Sequence, residues 1–195
     1  RLLAGKQQVA RIDFDYQQEP IRADAAYIEA VERCTLIVAI DYGKGALAGL
    51  RDLIRASNKP MLIDPKGHNY ARYSGAALVK PNRDEMRELV GGWNNQHELD
   101  LKAHKFLLDS DIESILLTQA EDGMTLYEHG NTHHRPASDG PVVDVSGAGE
   151  AALAGYASAI ARGIDQPRAL DLAAKAAAVC ISRFGTTVVS AKDLE

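Results

Sequence analysis

Four short runs of mostly apolar residues constrain the fold of this 195-residue chain more than any other feature. They occupy residues 35–40, 60–64, 76–79 and 114–118. A strand that is apolar at consecutive positions must be covered on both faces, which is typical of a parallel sheet with helices on either side. The runs therefore predict strands at the centre of such a sheet.

The segments between these runs have the apolar spacing of helices. Helices are predicted over about 20–33, 46–57, 82–90, 96–109, 146–162 and 167–183. Alternating polarity adds a strand at 8–15, a hairpin at 123–135 and a strand-like segment at 142–145. Short strands separated by helices require parallel crossovers, so the predicted class is α/β with a mainly parallel sheet flanked by helices.

Composition excludes several classes of protein. The chain is 46% apolar and 25% charged, which is ordinary for one globular domain and argues against disorder. With 22 basic and 27 acidic residues the net charge is −5, so we expect neither nucleic acid nor a membrane as a partner. Cys34 and Cys180 lack a CxxC spacing and favour buried thiols in a cytoplasmic setting.

Polar loops follow four of the predicted strands, at 41–45, 64–67, 80–85 and 144–150. The carboxyl ends of parallel strands meet at one edge of a sheet, where open α/β folds bind ligands. The loops supply lysines for phosphate, carboxylates for a metal ion or a proton, and glycines for close backbone approach. We therefore expect them to form one site.

The loop from Asp144 to Glu150 reads DVSGAGE and leads into a predicted helix. A glycine-rich turn at this place directs backbone amides and the positive end of the helix dipole at one point, which suits phosphate or a developing oxyanion. The loop is neither GxxxxGK[ST] nor GxGxxG. The alternative is close strand–helix packing, with Glu150 merely stabilising the first helical turn.

Structural alternatives also exist for the other loops. Asn82 and Glu85 have the spacing of a capping box at the start of a helix. Lys44 and Lys66 are of a type that is usually solvated, although both follow buried strands. The residue types alone leave these alternatives open.

Taken together, the motifs resemble the ribokinase-type (PfkB) carbohydrate kinases. DVSGAGE at 144–150 is similar to that family's D-[TV]-[TS]-G-A-G-D signature, and PNRDE at 81–85 matches its P-N-x-x-E element. TQAEDGM at 118–124 looks like the loop near the nucleotide, and Gly185 with Thr186 matches a late G-T element.

Within that family, DYGKG at 41–45 and DPKG at 64–67 look most like the D-glycero-β-D-manno-heptose-7-phosphate kinases of ADP-heptose and lipopolysaccharide core synthesis. The resemblance implies a single ribokinase-like domain over 1–195 that matches the C-terminal two-thirds of a kinase domain. The family's N-terminal strands and most of its lid then have no counterpart here. Residues 1–16 would form a lid or edge strand, and an unpaired edge predicts a homodimer.

The resemblance implies phosphoryl transfer from ATP, with Mg²⁺, to the anomeric hydroxyl of a sugar phosphate. Glu150 would take the acceptor proton, and the amides of Gly147, Ala148 and Gly149 would stabilise the developing charge. Glu85 would hold Mg²⁺ through water. The nucleotide and phosphate contacts implied are Lys44, Lys66, Asn82, Glu85, Thr118, Gly123, Asp144, Lys175 and Gly185.

Two positions depart from the family pattern. Glu150 stands where the signature has Asp, which moves the carboxylate by about 1 Å, enough to reduce a rate. Lys175 stands where the late helix commonly has Asn near the adenine. These departures define the alternative function, a degenerate kinase-like module that binds nucleotide or a partner without turnover.

Overall fold

The computed structural model describes residues 2–4, 7–10, 12, 14, 16–67 and 69–194. The strands are β1 (Leu2–Ala4), β2 (Gln7–Ala10), β3 (Ile37–Ile40), β4 (Met61–Asp64), β5 (Leu78–Val79), β6 (Ser114–Thr118), β7 (Met124–Glu128) and β8 (Asn131–Arg135). The helices are α1 (Ala25–Glu32), α2 (Leu50–Ala56), α3 (Arg83–Val90), α4 (Gln96–Asp109), α5 (Ala148–Ala161) and α6 (Gln166–Ile181). Short 3₁₀ turns lie at Tyr70–Tyr73, Ala120–Asp122 and Ala191–Leu194.

The main sheet has six strands in the order β3-β4-β5-β6-β7-β8. Strands β3 to β6 are parallel, and β7 and β8 continue the sheet as an antiparallel hairpin. The predicted α/β class with a mainly parallel sheet is thus confirmed. Strands β1 and β2 form a separate antiparallel pair. None of the described helices is long and apolar enough to cross a membrane.

Helices cover both faces of the sheet, as the apolar runs predict. In β4, Met61 and Ile63 point into a core shared with α2, α3 and α4, whereas Leu62 points into a core shared with α5 and α6. Alternate side chains of one strand thus enter different cores, because successive residues of a strand face opposite sides. Both faces of the central strands are apolar for this reason.

Helices α5 and α6 pack closely because small residues line their contact. A β-carbon on Gly155 would lie 2.8 Å from the carbonyl oxygen of Leu172 and 2.9 Å from the β-carbon of Ala176. Neither neighbour leaves room for a larger side chain. This packing fixes the position of the glycine-rich loop that precedes α5.

Several element boundaries are set by caps that periodicity does not reveal. Helix α1 begins at Ala25 and not near Pro20, since the side chain of Asp24 accepts a hydrogen bond from the Tyr27 amide. The strand predicted at 8–15 is realised only in β2, and residues 11, 13 and 15 of that prediction lie outside the described residues.

The prediction of a strand at 142–145 is wrong. The amides of Val143 and Asp144 donate to the carbonyl of Ile181, at 2.7 and 3.2 Å, so this segment is tied to the end of α6. Val142, Val143 and Val145 are all exposed. Their β-branched side chains produce a strand pattern, but no strand in the described part of the chain pairs with this segment.

Candidate functional site

Two adjoining cavities open at the carboxyl ends of the parallel strands. One has a volume of about 550 Å³ and is here called the polar cavity. Its charged lining residues are Asp41, Lys44, Asp64, Lys66, Lys80, Glu85 and Glu150. Loops after β3, β4 and β5 and the start of α5 all contribute to it. The four loops predicted to meet at this edge therefore do so.

The second cavity has a volume of about 640 Å³ and is here called the apolar cavity. It lies between the β6–β7 connection, the start of α5 and the C-terminal half of α6. Among its apolar lining residues are Met124, Val142, Val145, Ala152, Ala174, Ala177, Ala178 and Ile181. Small and aliphatic side chains of this kind suit a flat ring more than a charged group.

The two cavities share a wall formed by Asn82, Thr118 and Gly149. Asn82 is the N-cap of α3, Thr118 ends β6, and these two residues form a parallel bridge. Gly149 lies in the first turn of α5. A molecule that fills both cavities must pass this wall.

The start of α5 differs from that of the other long helices. Asn82, Asn95 and Asp165 cap α3, α4 and α6 with their side chains. Gly147 occupies the N-cap of α5 at a φ of 85°, and no side chain caps that helix among the described residues. First-turn amides without a side-chain acceptor attract an anion, which supports the anion site predicted from this loop.

Asn82 and Glu85 form a capping box at the start of α3 and also line the polar cavity. The Asn82 side chain accepts from the amides of Asp84 and Glu85, and Glu85 accepts from the Asn82 amide at 2.9 Å. This capping box confirms the structural alternative. Both residues nevertheless line the polar cavity, so capping does not remove them from the site.

Four predicted contacts line neither cavity. Asp144 accepts from the Ser146 amide at 2.9 Å and from the Gly185 amide at 3.1 Å. It thus joins the loop before α5 to the segment after α6. Gly147 faces Cys180, and a β-carbon on Gly147 would be 3.7 Å from the sulfur of that residue. Lys175 is exposed on α6, and Ala174 and Ala178 face the apolar cavity instead.

A buried network joins the two loops that carry Lys44 and Lys66. Asp41 lies 3.2 Å from the Arg72 guanidinium and 3.2 Å from the Tyr73 hydroxyl. That hydroxyl also accepts from the Lys66 amide at 2.9 Å. Burial, with Asp41 adding to it, raises the pKa of Tyr73 to about 12, so the phenol keeps its proton. Sequence patterns missed this network because its members are far apart in the chain.

Lys80 belongs to the predicted polar loop at 80–85 but is not among the individual contacts that the family resemblance implies. It is 4% exposed, and its ammonium lies 3.1 Å from Oδ1 of Asp64. Burial raises the pKa of Asp64, Lys80 opposes that shift, and the carboxylates of Glu85 and Glu150 reinforce it. A lysine that ends a buried strand, just before a capping Asn, is the signal that could have identified it.

The donors of the polar cavity are compatible with Mg²⁺ held through water. In the described part of the chain, no three His, Cys, Asp or Glu side chains are placed to bind a metal ion directly. The carboxylates of Asp64, Glu85 and Glu150 face one cavity. Mg²⁺ prefers oxygen ligands, keeps several waters, and commonly binds through one or two carboxylates and substrate phosphates.

Sequence comparisons relate the chain to sugar kinases. The profile of the pfkB family carbohydrate kinases matches residues 15–193. The chain is 40% identical to a D-beta-D-heptose 7-phosphate kinase of Bordetella bronchiseptica, with all of this chain and 64% of that protein covered. It is 38% identical to the bifunctional protein HldE of Pseudomonas fluorescens, again over the whole chain but over 42% of that protein.

Solved structures share the fold at low sequence identity. A ribokinase from Thermotoga maritima superposes with a TM-score of 0.77 at 16% identity, covering 89% of this chain and 59% of the other. A ribokinase from Arabidopsis thaliana, complexed with ribose and ATP, gives 0.75 at 19% identity, covering 84% and 55%. The predicted ribokinase-like fold is confirmed.

Gly123 shows how tightly the hairpin closes over the apolar cavity, which it lines. Its φ is 83°, and a β-carbon there would lie 2.6 Å from the backbone nitrogen of Ala137. Gly130 in the next turn has a φ of 84°, but none of the residues that the structure describes lies within 4 Å of its β-carbon position. We expect Gly130→Ala to cost about 1–2 kcal/mol for the left-handed backbone alone.

Gly123→Ala should cost about 1–3 kcal/mol more than Gly130→Ala, because the added methyl also collides with backbone. Urea unfolding of both variants measures this difference. Equal losses of stability would contradict the close packing of the hairpin at Gly123.

Proposed function

Because this chain belongs to the pfkB family of carbohydrate kinases, we propose that it transfers a phosphoryl group from ATP to the anomeric hydroxyl of a heptose 7-phosphate. The observation that carries the proposal is the pair of cavities that meet at Asn82, Thr118 and Gly149. A nucleotide and a charged acceptor need such a pair, with the reacting phosphorus at the junction. The chain spans 64% and 42% of the two relatives named above.

The apolar cavity is the proposed place of the adenosine. Ala174, Ala177 and Ala178 offer a flat, uncharged surface to the base. Thr118 and Gly123 border the same cavity at the end of β6 and the start of β7. From there the phosphates would run toward Gly149 and the first turn of α5, where the helix dipole favours negative charge.

The acceptor is proposed to occupy the polar cavity. Lys44 and Lys66 line it and provide positive charge for the phosphate of a sugar phosphate. The network around Asp41 holds the loops of these two lysines in fixed relation. Asn82 and Glu85 would hold Mg²⁺ through water, and the ion would supply charge to the phosphate oxygens.

In the proposed step, the anomeric oxygen forms a bond to the γ-phosphorus as the bond from that phosphorus to the β–γ bridging oxygen breaks. ADP leaves with the electron pair of the broken bond. The hydroxyl proton passes to the carboxylate of Glu150, which lines the polar cavity beside Gly149. Backbone amides of Ala148 and Gly149 stabilise the charge on the transferred group.

A second candidate function is nucleotide binding without turnover. The observation that favours it is that Glu150 stands in place of the Asp of the family signature. The additional methylene of Glu moves the carboxylate by about 1 Å, which can reduce the rate of transfer. Position 150 still lines the polar cavity, which favours the kinase. We place the protein in the cytoplasm, since it has two free thiols and since the proposed reaction consumes ATP.

The partner that we propose for the N-terminal sheet is a second copy of this chain. Strands β1 and β2 form a two-stranded sheet, and Leu2, Val9, Ile12 and Phe14 are all more than half exposed. Pairing of two such sheets would bury these side chains. Light scattering should give twice the mass of the chain, and the mass of a single chain would exclude the dimer.

Replacing the proposed base tests the kinase directly. Glu150→Gln removes the proton acceptor at nearly constant size, and we expect kcat to fall by about 10²–10⁴-fold. A coupled assay of ADP release with Mg-ATP and heptose 7-phosphate measures this. Glu113→Gln, which changes an exposed Glu outside both cavities, should leave kcat unchanged.

The same assay separates the two candidate functions. A wild-type protein that turns over and a Glu150→Gln variant that does not would support the kinase. A wild-type protein that is stabilised by Mg-ADP in thermal unfolding, but shows no turnover, would favour binding alone. Restored turnover in Glu150→Asp would then attribute the defect to the additional methylene.

A further inference from the structure

A lysine buried beside the wall between the cavities has no role in the function proposed so far. Lys80 follows β5 and is 4% exposed, yet it lines the polar cavity. Asp64, its ion-pair partner, accepts at 3.1 Å. An ammonium has three N–H donors, so this contact satisfies one of them. Burial of a charged group is costly unless its remaining donors also find acceptors.

The Lys80 ammonium lies against the first turn of α5. A β-carbon on Gly149 would be 3.0 Å from Nζ of Lys80. A side chain at position 149 would therefore press against the ammonium, which would have to shift by a few tenths of an ångström. The place is also the shared wall, since Gly149 lines both cavities and Lys80 lines the polar one.

Two positive groups are brought together at this point. One is the Lys80 ammonium, and the other is the N-terminal end of α5, where Gly147 provides no side-chain cap. Asp64 lies on one side of the ammonium and balances a single charge. The ammonium and the amide end of the helix both attract negative charge, so an anion that reaches Gly149 would be stabilised by the two groups together. The juxtaposition thus favours an anion at the wall.

We infer that Lys80 is a catalytic residue whose ammonium contacts the phosphoryl group during its transfer. The inference rests on the proposed kinase function and assigns a side chain to the same site. The charge of the Lys80 ammonium offsets the negative charge on the oxygens of the transferred group, together with the amides of α5. Asp64 acts as a positioning residue that holds the ammonium at the wall.

The competing explanation is purely structural, with Lys80 present to neutralise Asp64. Removing Lys80 alone would not separate the two explanations, because it leaves a buried carboxylate without a partner. Two variants with a neutral residue 64 contain no unpaired carboxylate, and the side-chain amide oxygen introduced by Asp64→Asn can still accept from Lys80. Asp64→Asn keeps Lys80, and the double variant Asp64→Asn/Lys80→Met lacks it. These two proteins differ only at residue 80.

We expect kcat of the double variant to be about 10²–10³-fold below that of Asp64→Asn, as for loss of one transition-state donor. The KM for Mg-ATP should differ little, because the contact is made mainly in the transition state. Equal kcat values in the two variants, whether high or low, would overturn the inference. Lys105→Met, at an exposed lysine of α4, is the control and should match the wild type.

A second readout does not depend on turnover. ADP with aluminium fluoride imitates the phosphoryl group in transfer, so it should raise the melting temperature of the wild type above the value with Mg-ADP alone. Asp64→Asn should keep this additional rise, and the double variant should lose it while still responding to Mg-ADP. An additional rise that persists in the double variant would overturn the role of Lys80.

These results also separate the inference from the proposed function. A wild-type protein with neither turnover nor stabilisation by Mg-ADP would refute the kinase and the inference with it. A wild-type protein that turns over, with two variants that behave alike, would refute the role of Lys80 alone. If Lys80→Met prevents folding in the Asp64→Asn background, Lys80→Gln in that background provides the comparison.

Discussion

Burial of β4, β5 and β6 on both faces is the constraint on which the rest of the structure depends. Ile63, Val79 and Leu117 are fully buried, and each lies one residue before a polar residue at or just after the end of its strand. A shift of one residue in the pairing register of any of these strands would move each side chain to the opposite face of the sheet. Such a shift would disrupt the packing of both cores, so the register is fixed. Asp64, Lys80 and Thr118 are held at the same edge for this reason.

The edge of the sheet where the parallel strands end carries many charged side chains. Three lysines and four carboxylates line the polar cavity, and Lys80 with Asp64 forms a pair that is largely buried. Such a pair is a poor source of stability compared with apolar packing. The pair lies instead at the wall beside Gly149, where the apolar cavity proposed for the base meets the polar cavity proposed for the acceptor.

The parts of the structure that could be predicted from the sequence are those set by interactions between residues a few positions apart in the chain. Buried strands, the Asn82 capping box and the glycine-rich start of α5 all have local signals. The Asp41 network could not be predicted, because Arg72 and Tyr73 approach it from about 30 residues away. Lys175 does not line the apolar cavity, because adjacent helical positions differ by 100° and Ala174 and Ala178 face the cavity instead.

The central claim is that one nucleotide occupies the apolar cavity and presents its terminal phosphate at the shared wall. A crystal structure of the protein with a non-hydrolysable ATP analogue tests it most directly. The account predicts the base against Ala174 and Ala178, with a γ-phosphate oxygen within hydrogen-bond distance of the Gly149 amide and the Lys80 ammonium. A base in the polar cavity, or a terminal phosphate remote from Gly149, would contradict it.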